Sequence, residues 1–331
     1  MKRTRDWWEP RAHLSGEQLG RLENTDGGTA RRWIREAKAD PLLCDLWGLQ
    51  PEDEVDIEED EELQALGLFS PPPIGPAILI YDIETAPGLA WVWGAYEQNA
   101  IAFEQDWYML SFAYKWANTQ DIGFVSIFQD PEFYPDTTND RYVAERLRLL
   151  FDKADAIVAH NGDKFDRKKS NQRFLKWGFT PPSPYQSIDT KKIATTNFSH
   201  FSNALKELGR VHELGDKEHH TGFELWRECM RGNPDFWKVM EKYNRQDVVL
   251  LEKVYNIMLP WMNGPGKQTK VNQGFWHGGK MVCPTCGHDH LTQNGYHRTS
   301  VSSFPAYRCD RCGAYSRFRK QDWDEPKPQL V

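Results

Sequence analysis

The most constraining stretch of this chain is residues 77–87, which reads AILIYDIETAP. Its apolar residues are strand formers, and a Gly-Pro pair before it and a Pro-Gly pair at its end are turn signals, so we predict a buried strand. Residues two apart in a strand point to the same face, so Asp82 and Glu84 should converge on one spot. Two carboxylates beside a buried strand are costly unless a cation lies between them, and a divalent metal ion is the natural candidate.

The composition limits the classes of protein to consider. The 331 residues are enough for two or three domains. No apolar run approaches the roughly 20 residues that a membrane helix needs, and no apolar signal core follows the basic N-terminus, so we expect a cytoplasmic protein with no membrane partner. The net charge of −7 argues against a uniformly basic coat but is compatible with local basic patches.

The first 76 residues are interpreted as two appended segments. Residues 1–50 form a small helical segment with helices at 15–22 and 29–39. The second helix is Arg-rich, so the pair is either a helix-turn-helix or a helical appendage with a solvated basic face. Residues 51–76 form an acidic and Pro-rich linker. Its acidic part, 51–62, is interpreted as a solvated tether, with an acidic mimic of nucleic acid as the alternative. Its Pro-rich part, 69–76, is interpreted as a stiff connector into the next domain.

Residues 77–262 are predicted to form one α/β domain, with a mixed β-sheet flanked by helices. Strands cluster first, strands and helices then alternate, and helices follow. Besides the opening strand, the predicted strands cover 107–116, 122–128, 156–159 and 187–189, and the predicted helices cover 140–154, 165–177, 201–208 and 234–259.

Two later places in this domain carry acceptor side chains that can complete a metal site. Asp166 lies in the first turn of a helix that leaves a strand, where simple capping is the alternative role. Asp163 is an alternative ligand nearby. Tyr243 and Asp247 are four residues apart and share a helical face, which is unusual as pure packing because an apolar run follows them.

Three motifs now occur in order: Asp-Ile-Glu-Thr at 82–85, Asn-x-x-x-Phe-Asp at 161–166 and Tyr-x-x-x-Asp at 243–247. Together they resemble the DEDD superfamily of 3′–5′ exonucleases, DnaQ-like and ribonuclease H-like, over roughly residues 77–262. The tyrosine is typical of the DEDDy branch, which includes the proofreading domains of family B DNA polymerases and related stand-alone nucleases.

The resemblance implies a ribonuclease H-like fold and assigns roles to five side chains. It implies that Tyr243 orients the attacking water. It also implies that the metal ligands are Asp82, Glu84, Asp166 and Asp247. Two Mg²⁺ or Mn²⁺ ions about 3.5–4 Å apart can activate the water and stabilise the leaving oxygen of a phosphodiester. Such hard ions prefer carboxylate oxygens to thiolates.

Candidate substrate contacts lie near the second motif and beyond it. His160 and Asn161 stand at the end of a predicted strand, where His160 contacts phosphate or packs at the strand end. Lys191 lies where such domains often line the substrate groove, which favours phosphate contact. His219 and His220 are interpreted as an exposed polar loop rather than as a metal site.

The C-terminal region carries the second strong signal. After a Gly-rich linker at 263–280, residues 281–320 hold two Cys-x-x-Cys pairs, each followed by glycine, and a polar tail at 321–331 is expected to be disordered. Four thiolates suit one structural, tetrahedral Zn²⁺, and a redox pair fits poorly because no thioredoxin-like unit is evident. The predicted zinc ribbon has as its ligands Cys283, Cys286, Cys309 and Cys312.

Basic and aromatic side chains alternate across this ribbon, which is typical of a surface that grips phosphates and stacks bases. We predict nucleic-acid contacts from Arg298, Arg308 and Arg311, with a purely structural or protein-docking ribbon as the alternative. A compact nuclease with a terminal ribbon is similar to phage-encoded nucleases, so the expected location is the cytoplasm of a bacterium or a phage-infected host.

The sequence therefore predicts a metal-dependent 3′–5′ exonuclease whose substrate is DNA with a free 3′ end. No polymerase or helicase domain is evident, so a proofreading role would need a separate polymerase or other replication partner. Two alternatives remain: an RNA-trimming exoribonuclease, and a non-catalytic nucleic-acid-binding adaptor built on the same fold.

Overall fold

A computed structural model describes residues 5–14, 19, 22–23, 37, 61–72, 75–96, 99–134, 136–215, 222–262, 271–277, 280–299 and 301–320. Apart from single positions, the helices predicted at 15–22 and 29–39 lie outside the described residues. So do most of the acidic stretch, the pair His219 and His220, and the tail. Of the helices within the described ranges, none is long and apolar enough to span a bilayer.

The secondary structure alternates between strands and helices through the α/β domain and ends in a separate group of strands. The strands are β1 (Ile78–Thr85), β2 (Leu89–Trp91), β3 (Ala102–Gln105), β4 (Met109–Trp116), β5 (Ile122–Ser126), β6 (Ala156–Ala159), β7 (Gln186–Asp189), β8 (Leu291–Arg298), β9 (Ser303–Cys309) and β10 (Tyr315–Arg317). The helices are α1 (Arg5–Trp8), α2 (Glu61–Ala65), α3 (Arg141–Lys153), α4 (Asp166–Lys176), α5 (Thr190–Asn197), α6 (Leu205–Val211), α7 (Phe223–Met230) and α8 (Pro234–Met258).

A five-stranded mixed sheet is the centre of the α/β domain, with the strand order β5-β4-β1-β6-β7. β4 runs antiparallel to both β1 and β5, whereas β6 is parallel to β1 and β7 is parallel to β6. β2 and β3 form a separate hairpin, and β8, β9 and β10 form a three-stranded antiparallel sheet. The mixed sheet flanked by helices confirms the predicted fold class.

β1 lies in the middle of the sheet and divides its side chains between two cores. Leu79, Tyr81 and Ile83 belong to the first core, which includes residues of α3 and α4. Ile78 and Ile80 belong to the second core, with residues of α5, α6 and α8. Side chains alternate along a strand, so Asp82 and Glu84 have the parity of the second core's face.

α8 is the longest described helix and passes from one core to the other. The Asn233 side chain accepts a hydrogen bond from the N–H of Asp235, and Pro234 occupies the first turn, so the N-terminus is well capped. Trp237, Met240 and Tyr243 pack in the first core, whereas the later buried residues of the helix pack in the second. The turn from Tyr243 to Asp247 therefore lies at the junction of the two cores.

Parts of both predicted linkers pack against the domain. Leu63 and Leu68 are buried in the first core, and the Phe69 carbonyl accepts a hydrogen bond from the Trp116 indole. Val271 is buried in the second core. Leu63 and Leu68 therefore attach this part of the predicted linker to the domain.

Several elements differ from the sequence-based prediction. The helix predicted at 201–208 begins at Leu205 and ends at Val211, because the Asn203 carbonyl accepts a hydrogen bond from His160 and holds the preceding residues outside the helix. α5, α7 and the β2–β3 hairpin were not predicted. The other predicted strands and helices of the domain are present, with ends shifted by a few residues at most.

Candidate active site

β1 carries two carboxylates in its C-terminal half, where it no longer pairs with β6. Asp82 lies opposite Ala113 and Glu84 opposite Ser111 on β4. On its other side β1 pairs with β6 only from Ile78 to Ile80. The C-terminal half of β1 therefore extends beyond its pairing with β6. α8 contacts this half of the strand through Asn244, which hydrogen-bonds Asp82.

Three carboxylates meet at this place. One ligand atom each from Asp82, Glu84 and Asp247 lies within 4.8 Å of the other two. Asp247 is buried, and the other two are half-buried. Negative groups this close repel one another, and an oxygen-binding divalent cation between them removes that cost. The donor set therefore fits Mg²⁺ or Mn²⁺.

Tyr243 lies one helical turn before Asp247 and is largely buried. Burial raises the pKa of its hydroxyl far above the ordinary value, and the negative charges of Glu84, Asp247 and Asp82 raise it further. The hydroxyl therefore stays protonated at any working pH. A side-chain hydrogen bond with Asp247 raises the pKa as well, so the hydroxyl proton would have to turn from Asp247 to reach a water molecule or a phosphate oxygen.

Asp166, the fourth predicted ligand, lies next to β1 but outside the group of three. It begins α4, is buried, and its Oδ1 accepts a hydrogen bond of 3.4 Å from the Ile83 backbone N–H. Burial raises its pKa to about 7, against the lowering effect of the backbone hydrogen bonds, and the charge of Asp189 raises it further. Its role as a ligand stays a prediction.

Two residues that the sequence did not single out contact the β1 carboxylates. Asn244 Nδ2 donates to Asp82 Oδ2 at 2.9 Å, and Trp226 Nε1 donates to Glu84 Oε2 at 3.1 Å. Asn244 is adjacent to Tyr243, so its position in the helix could have indicated it. Trp226 belongs to the unpredicted helix α7, and no sequence pattern indicated it.

The predicted contacts at the end of β6 are tied into a hydrogen-bond network. The His160 ring lies 2.9 Å from Thr190 Oγ1 through Nδ1 and 2.8 Å from the Asn203 carbonyl through Nε2. The backbone N–H groups of Asn161 and Lys191 both donate to Asp189 Oδ1. Both His160 ring nitrogens thus have protein partners, and Asp189 organises the loop that leads to Asp166.

Asp163, the alternative ligand, contacts residues other than the three clustered carboxylates. Its Oδ1 accepts a hydrogen bond of 2.8 Å from Ser187, and the carboxylate lies 3.6 Å from both Arg167 and Lys192. These contacts connect the end of β6 with β7 and α5.

The four C-terminal cysteines form one cluster. The Sγ atoms of Cys283 and Cys312 are 3.7 Å apart, as are those of Cys286 and Cys309. Four Zn–S bonds of about 2.3 Å in a tetrahedron place the sulfurs roughly 3.8 Å apart, so the cluster fits Zn²⁺.

Both knuckles of the cluster turn tightly at the glycine that follows the cysteine pair. Gly287 and Gly313 follow the second cysteine of each pair and have φ values of 74° and 72°, a left-handed conformation that glycine adopts without strain. The N–H of Gly287 donates to the Cys283 carbonyl, and that of Gly313 donates to the Cys309 carbonyl. These turns bring the two pairs together at one end of the β8–β10 sheet.

The predicted nucleic-acid residues of this region are exposed. Arg298 ends β8 with its guanidinium 5.2 Å from the Tyr296 ring, and Arg308 lies on β9 opposite Thr292 and Tyr315. Arg311 lies between the two cysteines of the second knuckle. Arg298 and Arg308 therefore lie on strands of the ribbon and Arg311 lies in a knuckle turn, on elements other than those that carry the carboxylates.

Comparisons with known proteins bear on the α/β domain. A family model described as the RNase_H superfamily matches residues 108–259. The match includes Asp166, Tyr243 and Asp247 but begins after β1. No curated protein matches the chain.

Among solved structures, the chain is similar to the family B DNA polymerase from the hyperthermophilic archaeon Pyrobaculum calidifontis. The TM-score is 0.43 and the sequence identity is 13%, over 70% of this chain and 32% of that chain. The similarity thus spans about a third of the polymerase's length. The mixed five-stranded sheet, its flanking helices and the family match over residues 108–259 show that the α/β domain is an RNase H-like domain.

Proposed function

We propose that this protein is a metal-dependent 3′–5′ exonuclease that hydrolyses DNA. The observation that carries the proposal is the cluster formed by Asp82, Glu84 and Asp247, with the protonated Tyr243 hydroxyl next to it. Three convergent carboxylates in an RNase H-like domain are suited to binding divalent cations. Such cations neutralise the negative charge that develops when a phosphodiester is hydrolysed.

Each residue of the site has a distinct task in this reaction. When bound, divalent ions supply a nucleophilic hydroxide and neutralise the leaving oxygen. Asp82, Glu84 and Asp247 would hold the divalent ions, with Asp166 at the start of α4 as a further ligand. Tyr243 donates its hydroxyl proton in a hydrogen bond and so orients the attacking water without ionising.

The C-terminal ribbon is the proposed second contact with substrate. Arg298, Arg308 and Arg311 are exposed on a small unit. A zinc ion held by its four cysteines would fix the β-strands that carry Arg298 and Arg308. Cationic side chains on such a unit can bind phosphates of the substrate in addition to the contacts at the cleavage site. The proposed partner is a DNA end, delivered alone or by a separate replication protein.

The test is digestion of single strands labelled at the 5′ or the 3′ end, as DNA and as RNA, with Mg²⁺ or Mn²⁺. The expected result is stepwise shortening of 5′-labelled DNA, and no product with Asp82→Ala or Asp247→Ala. Faster digestion of RNA would favour the exoribonuclease. Metal-independent binding without turnover in the wild type would favour an adaptor and contradict the proposal.

A further inference from the structure

Each of the two β1 carboxylates accepts a hydrogen bond from a neutral side chain. Trp226 Nε1 donates to Glu84 Oε2 at 3.1 Å. Asn244 Nδ2 donates to Asp82 Oδ2 at 2.9 Å and also lies 3.2 Å from the Asp82 backbone carbonyl. The two donors come from different helices, α7 and α8, so the carboxylates are approached from two elements.

Trp226 is itself held in place by its surroundings. The neighbouring α7 residues Leu225 and Cys229 are fully buried in the first core and fix the helix against α8. The Trp226 ring meets Tyr243 edge to face, with centroids 6.0 Å apart and an interplanar angle of 72°. One side chain therefore contacts both Glu84 and the tyrosine that we place beside the attacking water.

Asn244 is also fixed. It is fully buried, and Ser111 Oγ lies 3.3 Å from its Oδ1. Since the hydroxyl can donate to the amide oxygen, the amide nitrogen is turned toward Asp82. Ser111 lies opposite Glu84 on β4. Asn244 therefore contacts Asp82 directly and also contacts the β4 residue that pairs with Glu84.

We propose that Trp226 and Asn244 are positioning residues that hold Glu84 and Asp82 in the orientation that binds a divalent cation. The inference rests on the proposed function for the identity of the site. A neutral N–H donor fixes the direction of a carboxylate without cancelling its charge, whereas Lys or Arg at the same place would compete with the cation. Trp226 also holds the Tyr243 ring at a fixed position relative to Glu84.

The test measures Mn²⁺ binding by calorimetry to the full chain with its zinc retained. Trp226→Phe keeps the aromatic ring and removes the N–H. It should weaken Mn²⁺ binding roughly 10- to 100-fold, the usual effect of losing a partner of a metal ligand. Trp237→Phe is the matched control, because Trp237 is buried on α8 and stacks on Phe128 instead. Its Mn²⁺ affinity should equal that of the wild type.

Asn244→Ala gives a second, independent variant. It should weaken Mn²⁺ binding by a similar factor, and thermal unfolding without Mn²⁺ establishes that both variants are folded. Equal Mn²⁺ affinity of folded Trp226→Phe, folded Asn244→Ala and the wild type would overturn the inference.

Nuclease assays then separate positioning from catalysis. For both variants the Mn²⁺ concentration at half-maximal rate should rise about as much as the dissociation constant, and a saturating concentration should restore most of the rate. If the wild type binds Mn²⁺ but digests no nucleic acid, the proposed function is wrong. The Mn²⁺ affinities of the variants would then still decide whether Trp226 and Asn244 position the carboxylates. A low rate that saturating Mn²⁺ does not restore would contradict a positioning role.

Discussion

The backbone N–H of Ile83 donates a hydrogen bond of 3.4 Å to Asp166 Oδ1, although the two residues are 83 positions apart in the chain. Ile83 lies between Asp82 and Glu84, so this contact attaches the start of α4 to the strand that carries both carboxylates. Asp166 nevertheless stays outside the 4.8 Å cluster. Its pKa of about 7, raised mainly by burial, indicates a carboxyl that holds a proton when no cation is near.

Asp166 should make the stability of the Mg²⁺-free protein fall as the pH rises. Its pKa is raised above the unfolded value, so between about pH 4 and pH 7 the native state holds a proton that the unfolded chain has lost. The free energy of unfolding therefore decreases across this range. Asp166→Asn should remove that decrease, as measured by urea unfolding at a series of pH values.

Asp136→Asn is the control for this experiment. Hydrogen bonds from Thr138 lower the pKa of the exposed Asp136, so its contribution is lost only as the pH falls through its low native pKa. This variant should keep the wild-type slope between about pH 4 and pH 7. An unchanged slope in Asp166→Asn would show that Asp166 is ionised in the native state.

Tyr243→Phe should separate water orientation from metal binding. The hydroxyl has a strongly raised pKa and acts only as a donor, so its removal takes away a hydrogen bond but no charge. Because the hydroxyl also hydrogen-bonds Asp247, we expect Mn²⁺ affinity to fall no more than in Trp226→Phe. The rate at saturating Mn²⁺ should still fall about 100-fold or more, as for other preorganised donors.

Tyr255→Phe is the comparison, since Tyr255 is buried in the second core on the same helix. Its nuclease rate should match the wild type. The pH–rate profile of the wild type should show no alkaline decline attributable to Tyr243. A Tyr243→Phe variant with full activity would remove this residue from the mechanism.

A buried ion pair should be essential for placing α4. Arg173 Nη2 lies 2.6 Å from Asp140 Oδ1 and its Nε lies 2.5 Å from Oδ2, with both side chains fully buried. Asp140 also accepts hydrogen bonds from the Met109 N–H and the Trp177 indole. Arg173→Met would leave a buried carboxylate without its counter-charge, which should lower the free energy of unfolding by about 3–5 kcal/mol.

The exposed pair of Lys238 and Asp235 provides the contrast. Lys238→Met should change stability by no more than about 1 kcal/mol, since surface ion pairs contribute little. Both variants are compared by urea unfolding at neutral pH. Similar small losses in the two variants would contradict an essential role of the Arg173–Asp140 pair in placing α4.

Local spacing was enough to predict the parts of the site that lie within one element. The alternation of β1 predicted that Asp82 and Glu84 converge, and the four-residue spacing on α8 predicted that Tyr243 and Asp247 share a face. The structure brings Asp82, Glu84 and Asp247 together. In both cases the period of the secondary structure fixes the relation between the residues, so no tertiary information was needed.

Contacts between distant, short elements could not be predicted in this way. Trp226 reaches Glu84 across 142 positions from an eight-residue helix. β2 and β3 contain three and four residues and are mostly exposed, so they lack the alternation of buried and exposed side chains that marks a strand. Packing in three dimensions, rather than local periodicity, stabilises these elements.

The cysteine cluster should bind one zinc ion per chain, and that ion should hold the ribbon rather than the α/β domain. The hydrophobic cluster around it contains only Cys283, Cys309 and Ala314 as buried members among the described residues. So small a core cannot supply the free energy of folding without a metal. Cys309→Ser should therefore lose zinc, measured by mass spectrometry, and expose the β8–β10 backbone to rapid hydrogen exchange.

Exchange in β1, β4 and α8 should be unchanged by the same substitution, because their cores are built from other residues. Cys229→Ala is the control, since Cys229 is buried in the first core, away from the cluster. It should keep its zinc and a protected ribbon. Full zinc content in Cys309→Ser would contradict a four-thiolate site, and loss of protection throughout the α/β domain would show that the two units fold as one.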